Sequence, residues 1–334
     1  MGCGGPERSA PAAASSPEVQ ATASARAQQT LALAPATPPT AAATTAPAQV
    51  TLRRESRLGS TWRRLRRSNL VVASGCFLVL MVIVAAAAPL LAPYDPLAMQ
   101  PAVRFQGPSL AHLFGTDEYG RDVLSRLIYG ALISLEVGII SVGISLVVGA
   151  ILGSVAGYYG HAVDMLISRL MDVLFAFPAI LLAIALMAML GSDIRNVMLA
   201  IGIVNVPIFM RVARASTLTV RTTQYVEAAR ASGARDVRML GRDILPNIAP
   251  PLIVQATLAF AWAIIAEAAL SFLGLGTQPP TPSWGIMLST GRTFMQQNPS
   301  DVIFSGAAIS LAVLSLNILG DGLRDALDPR MKLQ

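Results

Sequence analysis

Long apolar runs alternate with short polar connections along most of this chain. Six runs stand out, near residues 70–92, 132–157, 165–190, 196–219, 248–274 and 302–322. Each is long enough, as a helix rising about 1.5 Å per residue, to cross a hydrocarbon layer of about 30 Å. Between the first and second runs, APYDPLAMQPAVRFQGPS is punctuated by prolines and predicts irregular chain. Beyond it, Val123, Leu124, Leu127 and Ile128 share one helical face, with Arg121, Asp122 and Arg126 largely away from it. Thr116 or Asp117 can cap that helix and Gly120 supplies a turn. The pattern predicts an amphipathic helix lying on the membrane surface before the second span. After the fifth run, SFLGLGTQPPTPSWG carries Pro279, Pro280 and Pro282, which exclude regular helix. Trp284 suits a membrane–water boundary. The segment is read either as the outer mouth of a pathway or as a plain external loop.

Composition fixes the solvent. Of 334 residues, 54% are hydrophobic and 13% charged, against roughly 25% charged in a soluble domain. The chain reads as an all-α polytopic membrane protein with about six transmembrane helices. Its net charge of +6 does not point to nucleic acid, because the basic residues are sorted by loop. Arg53, Arg54, Arg57, Arg63, Arg64, Arg66 and Arg67 precede the first run. Arg169 follows the second, and Arg211, Arg214, Arg221, Arg230, Arg235, Arg238 and Arg242 lie about the connection from the fourth to the fifth. Arg324, Arg330 and Lys332 follow the sixth. Six spans put all of these on one side and leave Arg104, Arg121, Arg126, Arg195 and Arg292 on the other. Lysine and arginine mark the cytoplasmic side, so both termini are expected inside.

Residues 1–60 are expected to be a disordered Ala/Pro/Thr-rich cytoplasmic tail with little to bury. No apolar core there is long enough for a secretory signal, and Pro6 stands where a myristoylation signal wants Ser or Thr. Residues 61–130 hold the first span and an external segment, and 131–334 a five-span core. Cys3 and Cys76 suggest neither a disulfide framework nor a metal site.

Three polar features interrupt the apolar pattern. Gly149, Gly153 and Gly157 recur at four-residue steps, spacing that lets another helix approach closely; packing within this chain is preferred over a subunit interface. Glu136 and Glu267 lie within apolar runs, where ionisation is costly. Glu136 is near an end, whereas Glu267 either lines a polar translocation path or is a buried, hydrogen-bonded structural group. The acidic cluster Asp117, Glu118 and Asp122 fits no calcium loop, so no metal is assigned. Lys332 is the only lysine, and no phosphate-binding loop precedes it. The chain is therefore not an ATPase. His112 and His161 fall on opposite sides of the membrane, and no catalytic residue is assigned.

The connection EAARASGARDVRMLGRDILP, residues 227–246, resembles the EAA loop of binding-protein-dependent ABC importers, although Asp243 stands where many members are apolar. GTDEYGRDVLSRLIYGA, LSFLGLG…PPTPSWG and NILGDGLRDALDPR resemble the C-type permease subunit of dipeptide, oligopeptide and nickel transport systems. The resemblance covers roughly the last 270 residues and implies a type I ABC importer permease fold in the bacterial inner membrane. It assigns Glu227, Ala228, Ala229, Gly233, Ile244, Leu245 and Pro246 to an ATPase-coupling loop. Gly115, Thr116, Asp117, Gly120, Arg121 and Asp122 form an external motif, and Pro280, Trp284 and Gly285 an external loop. The partners implied are a second homologous permease, two cytoplasmic ABC ATPase subunits or domains, an external substrate-binding protein and the bilayer. ATP and Mg would be bound by the ATPases, with no cofactor on this chain. Peptide import is the expected function; nickel, glutathione or haem import and an ion-driven secondary transporter are the alternatives.

Overall fold

The computed structural model describes residues 68–327. The predicted tail, the arginines from 53 to 67, Cys3, Asp328, Arg330 and Lys332 lie outside them. The described chain is helical apart from connections and one isolated bridge between Thr116 and Asp122. Helix α1 spans Asn69–Ala86 and is followed, after Ala87, by the single turn α2, Ala88–Leu91. An irregular segment leads to α3, Val123–Tyr159, which at 37 residues is about 55 Å long. Then come α4, His161–Phe175, and α5, Ala179–Leu190. They are followed by α6, Ile194–Val220, and the short α7, Gln224–Ala231. The single turn α8, Asp236–Arg238, runs through π-helical Met239–Ile244 into α9, Leu245–Phe272. Helices α10, Trp284–Thr293, and α11, Ser300–Leu327, complete the chain.

The third apolar run is not one straight span. Helices α4 and α5 meet at an 87° elbow across Ala176–Pro178. Pro178 has no N–H to donate and disfavours helical backbone at Phe177. Among the described residues five helices are long and apolar enough to span a membrane singly, and six spans result if the bent pair is counted as one. The amphipathic surface helix predicted before the second span does not exist separately. Asp122 caps it by accepting the Ser125 N–H at 2.8 Å, and it continues unbroken to Tyr159. Nothing between Val123 and Tyr159 breaks the helix.

The core is built on α3 against α6. A Cβ on Gly149 would lie 2.5 Å from Phe209 Cβ, one on Gly153 2.3 Å from the Met210 carbonyl, and one on Gly157 2.8 Å from Thr217 Cβ. The four-residue glycine steps therefore serve packing within this chain. Gly138 admits Phe260 of α9 in the same way, and Gly130 admits Trp284. Helix α11 lies against α9 and α1, with Gly320 facing Thr257 and Gly322 facing Val71. The outward sides stay apolar, as at Leu80, Val82 and Ile83 of α1 and Leu314 of α11, as lipid contact requires.

Candidate functional site

The 227–246 connection projects at the arginine-rich end of the bundle. Val226, fully buried, anchors α7. The helix closes on a two-bond cap: Gly233 N–H donates to the Arg230 carbonyl at 3.0 Å and Ala234 N–H to Ala229 at 3.1 Å. That cap needs a left-handed residue after the helix, and Gly233 supplies it with φ +78°. Beyond it, Met239, Ile244 and Ile248 are buried. Tyr158, near the end of α3, donates its hydroxyl to Asp236 Oδ1 at 2.6 Å. Arg221 donates to the Gly157 carbonyl at 2.8 Å. Helix α3 thus carries both sides of the projection.

The predicted coupling residues separate into two groups. Glu227, Ala228 and Gly233 face outward, with Tyr225, Ser232 and Val237 beside them, and Pro246 is also exposed. Ala229 and Leu245 are half-buried and Ile244 fully buried, so they hold the projection in place. Beyond Gly233, α8, the π turns and α9 form one continuous 37-residue stretch, Asp236–Phe272. Pro246, Pro250 and Pro251 each withdraw a backbone donor, and the wider turns precede them. The Arg230 guanidinium lies over the Tyr158 ring, 5.4 Å from the centroid.

At the opposite end, the Gly115–Asp122 motif is a buried lock. Asp117 is the hub. Its Oδ1 accepts the N–H groups of Tyr119 and Arg121 at 2.9 and 2.8 Å, and its Oδ2 accepts Arg121 Nε at 2.6 Å. Arg126 Nε lies 3.5 Å from the same oxygen. Asp122 caps α3 and holds His112 Nδ1 at 3.0 Å. Gly115 and Gly120, at φ +82° and +75°, sit where a Cβ would strike the carbonyls of Gln106 and Gln100. Arg121, Asp122 and Arg126 are thus buried, contrary to the expectation that they point away from the packed face. Polarity was legible there, but not that an opposite charge is waiting inside. Oxygens of Asp117, Glu118 and Asp301 lie within 4.8 Å of one another. Arg121 and Arg126 neutralise most of that charge, which makes a carboxylate–guanidinium network. Burial pushes the Glu118 carboxyl above the usual range, helped by the Asp117 charge and opposed by Arg121.

Sequence reasoning missed Asn298, which donates to the Thr116 carbonyl at 2.7 Å across 182 positions. Glu267 is fully buried: its Oε1 accepts from Ser271 Oγ at 2.7 Å, and Thr277 Oγ1 lies 3.5 Å away. Its Oε2 has no hydrogen-bond partner among the described residues, so the carboxyl is held at one oxygen only. Trp284 is buried and donates Nε1 to the Leu127 carbonyl at 2.9 Å, while Gly285 packs 2.7 Å from Ala268 by its would-be Cβ. Pro280 is exposed.

Residues 149–333, which include the whole projection, match the binding-protein-dependent transport system inner membrane component family. Residues 56–108 match the N-terminal TM domain of oligopeptide transport permease C. The chain belongs to this family of ABC importer permeases. It is 48% identical over 277 residues to the dipeptide transport system permease protein DppC of Alkalihalophilus pseudofirmus, covering 82% of this chain and 91% of that one. It is 46% identical over 272 residues to the glutathione transport system permease protein GsiD of Pectobacterium atrosepticum, covering 81% and 90%. To the di/tripeptide transport system permease protein DppC of Pseudomonas aeruginosa it is 44% identical over 283 residues, covering 83% and 93%. A permease of this family is a multi-pass inner-membrane subunit.

Proposed function

We propose that this permease passes short peptides, handed over by an external binding protein, across the inner membrane as one half of a heterodimeric pore. Its projection docks on a cytoplasmic ABC ATPase. ATP and Mg are bound by the ATPases, and this chain binds no cofactor. The observation that carries the reading is the exposed α7–Gly233–Val237 surface, mounted on α3 and continuous with α9. A push on a helix held this way is transmitted along two long spans, because close-packed helices shift as units. The arginines about the projection support an inside location for that end and an outside one for the Asp117 lock. Two of the three relatives named above carry dipeptides or di- and tripeptides by name and the other glutathione, itself a small peptide. The test is reconstitution with the ATPases, the second permease and the binding protein. ATP-dependent uptake of dipeptide is expected. Uptake driven by a proton or sodium gradient without ATP would replace this reading with secondary transport.

A further inference from the structure

A cavity of about 340 Å³ opens at the elbow between α4 and α5, within the size range of small-molecule sites, about 300–1,000 Å³. Phe175 and Phe177 line it from the elbow, Asn205 and Pro207 from α6, and Gln255 and Trp262 from α9. Pro207 stands midway between Ile194 and Val220, and Gln255 and Trp262 straddle the middle of α9. Both neighbours therefore put the cavity near the membrane midplane.

The elbow cannot face lipid as it stands. Phe177 and Pro178 are exposed and non-helical. The carbonyls of Phe175, Ala176 and Phe177 accept no backbone hydrogen bond among the described residues. Hydrocarbon leaves such groups unsatisfied at a cost of several kcal/mol each, so irregular backbone at this depth borders protein or water. A second observation points to the same face. Arg211 and Asp172 pair at 2.9 Å with both side chains about half exposed, and the Arg211 guanidinium stacks 3.9 Å from the centroid of Phe175, on the rim of the cavity. A pair of opposite charges beside an aromatic pocket matches a zwitterion with apolar side chains.

We propose that this elbow cavity is a transit site that receives an apolar side chain of the peptide in passage, with Arg211 and Asp172 facing its charged ends. The proposal rests on the peptide-import reading. A photoreactive benzoylphenylalanine in place of Phe177 is expected to cross-link tritiated leucyl-leucine during ATP turnover, and not without ATP. Ala179→Trp, which narrows the cavity from its exposed side, is expected to lower leucyl-leucine uptake roughly tenfold more than glycyl-glycine uptake, the discrimination typical of an apolar pocket. Cross-linking to lipid alone, or to the second permease alone, overturns the proposal. So does an unchanged preference in an Ala179→Trp protein present at normal abundance. If that variant fails to accumulate, the cross-link decides. Wild-type protein that imports no peptide defeats the functional reading itself and this site with it. Wild-type import without cross-linking defeats the site alone.

Discussion

Tyr158 Oη donates to Asp236 Oδ1 at 2.6 Å, joining residues 78 positions apart at the end of α3 and the start of α8. The phenol ring also lies beneath Arg230, on the other side of the Gly233 turn. One side chain thus braces both arms of the projection against the longest span. Tyr158→Phe keeps the ring and removes the bond. It is expected to cost about 1 kcal/mol and to raise hydrogen exchange at residues 234–238 with little change in membrane abundance. Unchanged exchange there would show that the brace is redundant.

The α3–α6 seam predicts a sharp contrast between two glycines of one helix. At Gly153 a Cβ would approach the Met210 carbonyl to 2.3 Å, and the listener is backbone, which cannot swing aside. Gly153→Val is expected to destabilise by about 1–3 kcal/mol or more through overpacking and to lower the amount of folded protein several-fold. Gly143 has nothing within 4 Å of a would-be Cβ, so Gly143→Ala is expected to be neutral or slightly stabilising. Membrane abundance and thermal unfolding of the purified variants measure both. Equal behaviour would remove the seam as the reason for the spacing.

Glu118 gives the Asp117 lock a pH dependence of definite sign. Burial, then the Asp117 charge, raise its pKa, so the folded state holds this proton more tightly than the unfolded chain does. Its contribution to stability is therefore greatest below the ordinary glutamate value. It declines as pH rises through the raised value. Glu118→Gln is expected to remove that decline and to turn the 3.2 Å ion pair with Arg121 into a neutral contact. Melting temperatures from about pH 4 to 7 should fall with pH more steeply in wild type than in the variant. Parallel curves would mean that the carboxyl is solvated.

Orientation is tested by chemistry at three exposed positions. Cysteines introduced at Ser109 and Gln278 are expected to react with an impermeant thiol reagent added to intact cells, and one at Ser232 only after lysis. Labelling of Ser232→Cys in intact cells reverses the topology. Cys76, exposed on α1 at a level where lipid surrounds it, is the background to replace first.

Much of this architecture was legible because hydrophobic runs report the solvent directly. Gly233 was legible too, since only glycine readily meets a left-handed turn after a helix. The elbow was not, because residues 165–190 stay apolar through the break and hydropathy carries no angle; Pro178 was the one local sign. The lock failed for a different reason. Periodicity treats Arg121 and Arg126 as surface, and only three-dimensional pairing with Asp117 makes their burial tolerable. Asn298 had no local signal at all, since its partner is the backbone of a distant segment. That Trp284 packs into the space left by Gly130 had no local signal either, since the two lie far apart in sequence.

The coupling assignment is tested most directly at Gly233. A Cβ there meets nothing within 4 Å inside this chain, so the requirement for glycine is conformational, at φ +78°, and not steric. Gly233→Ala is expected to cost about 1–2 kcal/mol locally, and Gly233→Asn less, because asparagine tolerates the left-handed region. Neither introduces bulk. Gly233→Trp adds a large side chain on the exposed side, where only a docked partner can notice it. If the projection docks on an ATPase, Gly233→Trp leaves the permease folded in the membrane but reduces co-purification of the ATPase and abolishes peptide-stimulated hydrolysis. Gly233→Asn retains most of both. Glu227→Lys, an exposed charge without an ion pair among the described residues, is expected to weaken the complex less than Gly233→Trp does. Equal loss in the Asn and Trp variants would assign the effect to the turn itself. Normal assembly and stimulation with tryptophan in place would mean that this surface touches no partner.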